Sequence, residues 1–214
     1  MTISYYHESL IKKMLDLCLS FFCLSITLPL ILFISLILKL TSKGHVFYMQ
    51  KRVGKNGKVF KIIKFRTMVP NAARIQPRLK KLNEADGPVF KIQNDPRFTK
   101  FGRILSRTGL DELPQLINVL KGEMSLVGPR PLPVSEAAKL TADQKKRHLI
   151  KPGLTSLWVI NGAHTITFNA WMKLDQLYVQ KASLNLDITI LIKTVFIIFK
   201  SSLYVLSSQS FLSP

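Results

Sequence analysis

Residues 14–38 read MLDLCLSFFCLSITLPLILFISLIL, and the way this stretch meets a membrane decides the architecture of the whole chain. It is apolar almost throughout, interrupted by Asp16, a few hydroxyl side chains and Pro29. A secretory leader is not expected: the run is too long for an h-region and no small-residue cleavage site precedes Lys39. Length alone suits a transmembrane helix, since about 20 apolar residues span a bilayer. The flanks point elsewhere. Lys12 and Lys13 precede the run, and Lys39, Lys43, Lys51 and Arg52 follow it; basic flanks favour the cytoplasmic side, and here both ends carry them. Pro29 removes the backbone hydrogen bond to Ser25, which kinks or breaks a helix. Two half-helices that enter and leave through one membrane face satisfy both observations. The expected architecture is therefore a re-entrant helix–break–helix over residues 1–41, with Pro29 at the break, followed by a second unit over residues 42–214 on the membrane surface. Ser25 and Thr27 are the nearest side chains able to serve backbone groups freed in lipid.

The rest of the composition is strongly basic. Against 12 Asp and Glu the chain carries 31 Lys and Arg, a net charge of +19 in 214 residues. Such a balance points to an anionic partner: nucleic acid, an acidic membrane surface or phosphorylated substrates. Nucleic acid is the weakest of these, because no recognition module is present and the N-terminus reads as lipid-buried. The two cysteines, Cys18 and Cys23, both lie in the apolar run, which argues for a reducing compartment and against a disulfide framework. The four histidines show no zinc-site spacing.

Beyond the apolar run the pattern changes. VFYMQKRV and KVFKIIKF are β-prone, and Asn56-Gly57 between them is a hairpin signal because both residues tolerate positive φ. Residues 71–86 read as helix then loop, residues 137–151 as a charged helix, solvated or lying on anionic headgroups, and residues 169–182 as a helix with Trp171, Leu174 and Tyr178 on one side. Residues 186–202 are apolar with a narrow polar stripe, which suits a helix lying in the membrane interface or packed under the segment of residues 87–131, and not a second span. The expected fold class is mostly α with a small β-hairpin (α+β).

Chemistry concentrates in residues 87–131, GPVFKIQNDPRFTKFGRILSRTGLDELPQLINVLKGEMSLVGPRP. Asp111 and Glu112 stand in a field of cations: Arg97, Lys100, Arg103 and Arg107 before them, Lys121 and Arg130 after. Carboxylates among cations suit a site that meets phosphates and a divalent ion. They equally suit the first turn of a helix over DELPQLINVLKGE, with Pro114 placed where proline is tolerated. The two readings are compatible. Pro129 and Pro131 hold Arg130 between fixed backbone angles, a presentation that suits bidentate phosphate recognition and suits a helix-stopping turn as well.

The string GPVFKIQNDPRFTKFGR…LDELPQLINVLKGEMSLVGPRP, with VFYMQKRVGKNGKVFKIIKFRTM upstream and KPGLTSLWVING downstream, resembles the bacterial sugar transferase family, the monotopic polyprenyl-phosphate phosphoglycosyl transferases. The resemblance covers most of the chain. It implies transfer of a sugar phosphate from a nucleotide diphosphate sugar, a UDP-sugar being the expected donor, to polyprenyl phosphate. It implies Asp111 as nucleophile and Mg2+ ligand, and Glu112 in support: polarising or deprotonating the acceptor phosphate, or holding the metal. The two are not expected to share a direction, since helical neighbours point roughly 100° apart. Lys64, Arg66, Arg103, Arg107 and the Pro129–Arg130–Pro131 segment are the implied phosphate and substrate contacts. The implied setting is the cytoplasmic face of a bacterial inner membrane, with anionic lipids as partners and a homodimer left open. Three departures stand out: Ser106 and Ala163 occupy places where the family reads arginine, and Val159 replaces a usual glutamine. A relative impaired in chemistry, serving as a membrane scaffold or a binder of lipid-linked intermediates, is the competing expectation.

Overall fold

The computed structural model describes residues 3–207; residues 1–2 and 208–214, the outer ends of the two expected units, lie outside the described residues. Helix α1 spans Leu10–Thr41, opened by the Ser9 hydroxyl accepting from the Lys12 amide. Pro29 lies inside it, with helix assigned on both sides and no gap between. Ser25 and Thr27 bond the carbonyls of Phe21 and Cys23 at 2.9 and 2.7 Å. Neither serves the Ser25 carbonyl that Pro29 leaves without its usual donor. This departs from expectation for a simple reason: a helical hydroxyl reaches back to its own i−4 carbonyl more readily than forward.

One side of α1 packs and the other does not. Ile34 and Leu38 are buried against Phe65 and Leu105, all four at 2% exposure or less; burial of each such side chain is worth about 1.5–3 kcal/mol. On the opposite side Phe21, Phe22, Ile26, Leu32 and Phe33 are exposed. The helix is long and apolar enough to cross a membrane.

Strands β1 (Phe47–Val53) and β2 (Val59–Phe65) pair antiparallel with Val53 opposite Val59. Asn56 and Gly57 turn the chain with φ of 54° and 77°, as their sequence signals. Helix α2 (Ala72–Ile75) and a 3₁₀ segment, Gln76–Leu82, follow. Helix α3 (Lys100–Thr108) stops at Gly109, whose φ of 75° is readily available to glycine. Helix α4 (Gln115–Leu120) leads into β3 (Ser125–Val127) and then α5 (Val134–Ala137). Strand β4 (Gly153–Thr155) pairs parallel with β3, a second small sheet that the sequence pattern does not announce. Helices α6 (Leu157–Ile160), α7 (Phe168–Lys181) and α8 (Leu184–Ser207) complete the chain.

The expected helix over residues 137–151 is replaced by the end of α5 and a 3₁₀ segment, Gln144–Leu149. The reason is Arg147, which is 2% exposed and paired with buried Asp175 at 2.8 Å, so the segment winds to bury a cation where a solvated face was expected. Helix α7 matches its expectation, with Trp171 and Tyr178 buried and Leu174 half-buried.

The central core joins Phe60 and Ile62 of β2 to Leu116 and Val119 of α4, Leu126 and Val127 of β3, Tyr178 and Val179 of α7, and Ile190 of α8. A polar network ties the foot of α1 into it. Lys12, expected as a flanking cation, is 4% exposed and bonds Asp187 at 2.6 Å and Asp16 at 3.2 Å. Asp16 accepts from the Ser125 hydroxyl and the Leu126 amide, both at 3.0 Å, and Asp187 accepts from Tyr178 at 2.6 Å and Tyr6 at 3.2 Å. Lys13 alone of the pair faces outward. The outer side of α8 exposes Ile192, Val195, Phe196, Phe199 and Tyr204, making it the second helix long and apolar enough to cross a membrane.

Candidate active site

Asp111 and Glu112 lie in a 3₁₀ turn, Leu110–Glu112, between α3 and α4. The α-helix proper starts three residues beyond Glu112, so the pair stands before the expected first turn. The two carboxylates nevertheless converge: Lys64 Nζ lies 2.5 Å from Glu112 and 3.8 Å from Asp111. Strand alternation explains why Lys64 is there. It shares a pleat face with Phe60 and Ile62, both buried toward α4, so the last inward position of β2 falls beyond the apolar core and over the turn.

Asn118 fixes the distance between these elements. Fully buried, it accepts from the Ile63 amide at 3.0 Å and donates to the Lys61 carbonyl at 2.9 Å and to Glu123 at 2.7 Å. Its amide thus occupies the place a neighbouring strand would take, and it clamps α4 to the strand that carries Lys64. Sequence reading passed over it, because an asparagine inside an apolar helix gives no sign of which backbone it will meet.

Arg130 completes the cluster by gripping Glu112 with both ends of its guanidinium, at 2.5 and 3.2 Å. The peptide bearing it is pinned at four consecutive carbonyls. Pro129 accepts from the Gly153 amide at 2.9 Å, Arg130 from Arg147, Pro131 from Arg52 at 2.9 Å, and Leu132 from the Val53 amide at 3.1 Å. Gly153 cannot be replaced here, because a Cβ would lie 2.1 Å from the Gly128 nitrogen.

Burial raises the Asp111 carboxyl to about 6, with the Glu112 charge adding to that and Lys64 and Arg130 opposing it. Burial also acts to raise Glu112, but the charges of Arg130 and Lys64 outweigh it and hold Glu112 well below the usual carboxylate range. One member of the dyad titrates near neutrality and the other stays an anion. Among the described residues no side chain hydrogen-bonds Asp111, whereas both oxygens of Glu112 are taken.

The structure gathers Lys64, Asp111, Glu112 and Arg130 and leaves the other expected cations elsewhere. Arg66 is buried at the C-terminal end of α1, bonding the carbonyls of Leu38, Ser42 and His45 and the Ser42 hydroxyl. It secures the helix end to the body and takes no place beside the dyad. Arg97 pairs with Asp95 at 2.6 Å. Arg107 is exposed and meets Asn94 at 3.4 Å, and Arg103 is half-buried on α3. Ser106 is exposed on α3, and Ala163 has a left-handed φ of 42° just after α6.

Among the described residues no group of three or more His, Cys, Asp or Glu could enclose a metal. A magnesium ion does not require one, since it is held by one or two carboxylates together with substrate phosphates and water. Asp111, with its oxygens free of side-chain hydrogen bonds, fits that requirement.

The model of the bacterial sugar transferase family matches residues 7–201. The galactosyl transferase CpsE of Streptococcus agalactiae serotype III is 45% identical over 153 residues, covering 71% of this chain and 34% of the relative. The undecaprenyl-phosphate galactose phosphotransferase of Salmonella typhimurium is 39% identical over 199 residues, 89% of this chain and 40% of the relative. The exopolysaccharide production protein ExoY of Sinorhizobium fredii is 38% identical over 189 residues, 86% of this chain and 83% of the relative. The chain thus spans well under half the length of the first two and most of the third. With a match that runs through the apolar helix, the dyad turn and the pinned arginine alike, the chain belongs to the bacterial sugar transferase family.

Proposed function

We propose that this chain transfers a sugar phosphate from a nucleotide diphosphate sugar to polyprenyl phosphate, as the first membrane step in building a surface polysaccharide or related glycan. A UDP-sugar is the donor and undecaprenyl phosphate the acceptor in this reading. The observation that carries it is the buried Asp111, flanked by an anion that holds two cations in place, in a chain of this family.

Asp111 attacks the phosphorus that bears the sugar. An aspartyl oxygen–phosphorus bond forms as the bond to the nucleoside monophosphate breaks, and the monophosphate leaves with that electron pair. An oxygen of polyprenyl phosphate then attacks the same phosphorus and displaces Asp111, which returns as a carboxylate. Attack between anions needs charge neutralisation above all. Lys64 and Arg130 supply it from the protein, and Glu112 holds both in place. A magnesium ion on Asp111 would neutralise further charge on the donor diphosphate.

We further infer the re-entrant topology. A straight helix of 32 residues is roughly 48 Å long, more than a hydrocarbon core is thick. Yet Lys12 near its start and Leu38 near its end both engage the same body. Ends held together on one body favour entry and exit through one face, with Pro29 within the buried part and the dyad on the cytoplasmic side of the inner membrane. Helix α8 lies along the interface in this reading.

The test offers purified protein, magnesium and undecaprenyl phosphate a panel of nucleotide sugars. Release of nucleoside monophosphate with one donor is expected; folded protein that releases it from none overturns the reading. A second reading, a scaffold with impaired chemistry, rests on uncharged Ser106 and Ala163 where the resemblance expects arginine. Turnover that rises about tenfold or more with Ser106→Arg and Ala163→Arg together would favour it, and brisk wild-type turnover removes it.

A further inference from the structure

Trp158 and Trp171, the chain's two tryptophans, stack with ring centroids 4.5 Å apart and planes 22° from parallel. Each indole carries one guanidinium: Arg130 lies 5.6 Å from the Trp158 centroid, and Arg147 lies 5.5 Å from that of Trp171. Arg147 also donates to the Arg130 carbonyl and pairs with Asp175. A stack built for packing alone would not bury an arginine this way. Among the described residues, Nε and Nη1 of Arg147 find no hydrogen-bond acceptor, and unmet donors in a buried site oppose folding. The arrangement is explained by what Arg147 and the rings hold, which is Arg130, the arginine that grips Glu112.

We propose that Trp158, Trp171 and Arg147 are positioning residues for Arg130: Trp158 orients its guanidinium toward Glu112, Trp171 supports that ring, and Arg147 locks the peptide. This rests on the phosphate-clamp role assigned to Arg130 above. An aromatic face attracts a guanidinium without supplying a competing hydrogen-bond acceptor, so the fork stays oriented while its donors remain available to carboxylate or phosphate.

The experiment is a double-substitution cycle on the full-length protein in detergent, with the midpoint of thermal unfolding measured for every variant. Trp158→Leu is expected to lower kcat/KM by about tenfold, an indole–guanidinium contact being lost. Trp158→Phe keeps an aromatic face and should restore most of the loss. In an Arg130→Lys background, Trp158→Leu should cost little more, because the ring acts through the arginine. A loss that adds in full to that of Arg130→Lys overturns the proposal, as does a Trp158→Leu variant as active as wild type. Should the leucine variant fail to fold, biosynthetic replacement of both tryptophans by fluorotryptophan weakens the ring faces at nearly unchanged shape. It should reduce turnover several-fold, and unchanged turnover overturns the proposal.

Tryptophan emission reports the stack alone, so it separates this proposal from the wider functional reading. Pyrophosphate, added as a probe, should shift emission in wild type and not in Arg130→Lys. That result stands even if no donor supports transfer; an equal shift in both overturns the positioning role.

Discussion

At the foot of α1, Asp16 and Asp187 share Lys12; in the turn after α3, Asp111 and Glu112 share Lys64. The parts are alike, two carboxylates around one lysine, and the finish differs. Around Lys12 each aspartate is bonded further, by Ser125 and the Leu126 amide on one side and by Tyr178 and Tyr6 on the other. Burial and the Asp187 charge even hold the Tyr178 proton well above the ordinary tyrosine range. Around Lys64, among the described residues, Glu112 alone accepts from side chains, and Asp111 keeps a 3.8 Å ion pair. Saturation marks the cluster that holds the fold together. A buried carboxylate left short of donors marks the one available for chemistry.

The sharpest way to break this contrast is Asp111→Asn. Turnover should fall on the order of 10⁴-fold or more, with no covalent sugar-phosphate adduct captured by mass spectrometry. Stability should move the other way. Because the folded chain raises this carboxyl from 3.8 to about 6, it prefers the protonated form: the penalty is absent below about 3.8 and fully present above about 6. The asparagine variant should therefore be more stable at pH 7.5, by up to about 3 kcal/mol, with the difference vanishing below pH 4 in thermal unfolding.

Next in size is Glu112→Gln, which loosens Lys64 and Arg130 together. Turnover should drop on the order of 10²–10³-fold while the adduct stays detectable; loss of the adduct would transfer the nucleophile's role. Asp187→Asn tests the other cluster. It leaves Lys12 short of its closest partner and should cost about 3–5 kcal/mol of stability, read as a lower unfolding midpoint, and any folded fraction should keep near wild-type KM. The smallest effect is on pH. A nucleophile that ionises near 6 gives a kcat/KM that rises with pH and levels off above that value. A profile flat down to pH 5 would mean that Asp111 is already ionised by something bound to it.

The legible parts of this molecule were local ones. Asn56-Gly57 announced its hairpin, the apolar run announced α1, and the dyad with its proline-framed arginine stood out in one contiguous stretch. What stayed hidden depended on partners distant in the chain. Lys12 reads as a flank cation until Asp187, 175 positions away, is brought against it. Arg66 reads as a phosphate ligand beside Lys64, yet β2 ends at Phe65 between them, and Arg66 bonds the end of α1 while Lys64 reaches the dyad. Arg147 looked solvated because nothing nearby in sequence reveals Asp175.

The clamp made by Asn118 has a consequence for how copies of this chain can meet. A two-stranded ribbon ordinarily offers two open edges, each a template for a strand from another molecule. Here the middle of the β2 edge is occupied by the Asn118 amide, and β1 is closed at Val53 by the Leu132 carbonyl and alongside by the Arg52–Pro133 bridge. The ribbon is insulated against recruiting a third strand at those points, so self-association through the hairpin would first have to unseat the residues that align Lys64 and Arg130 with the dyad.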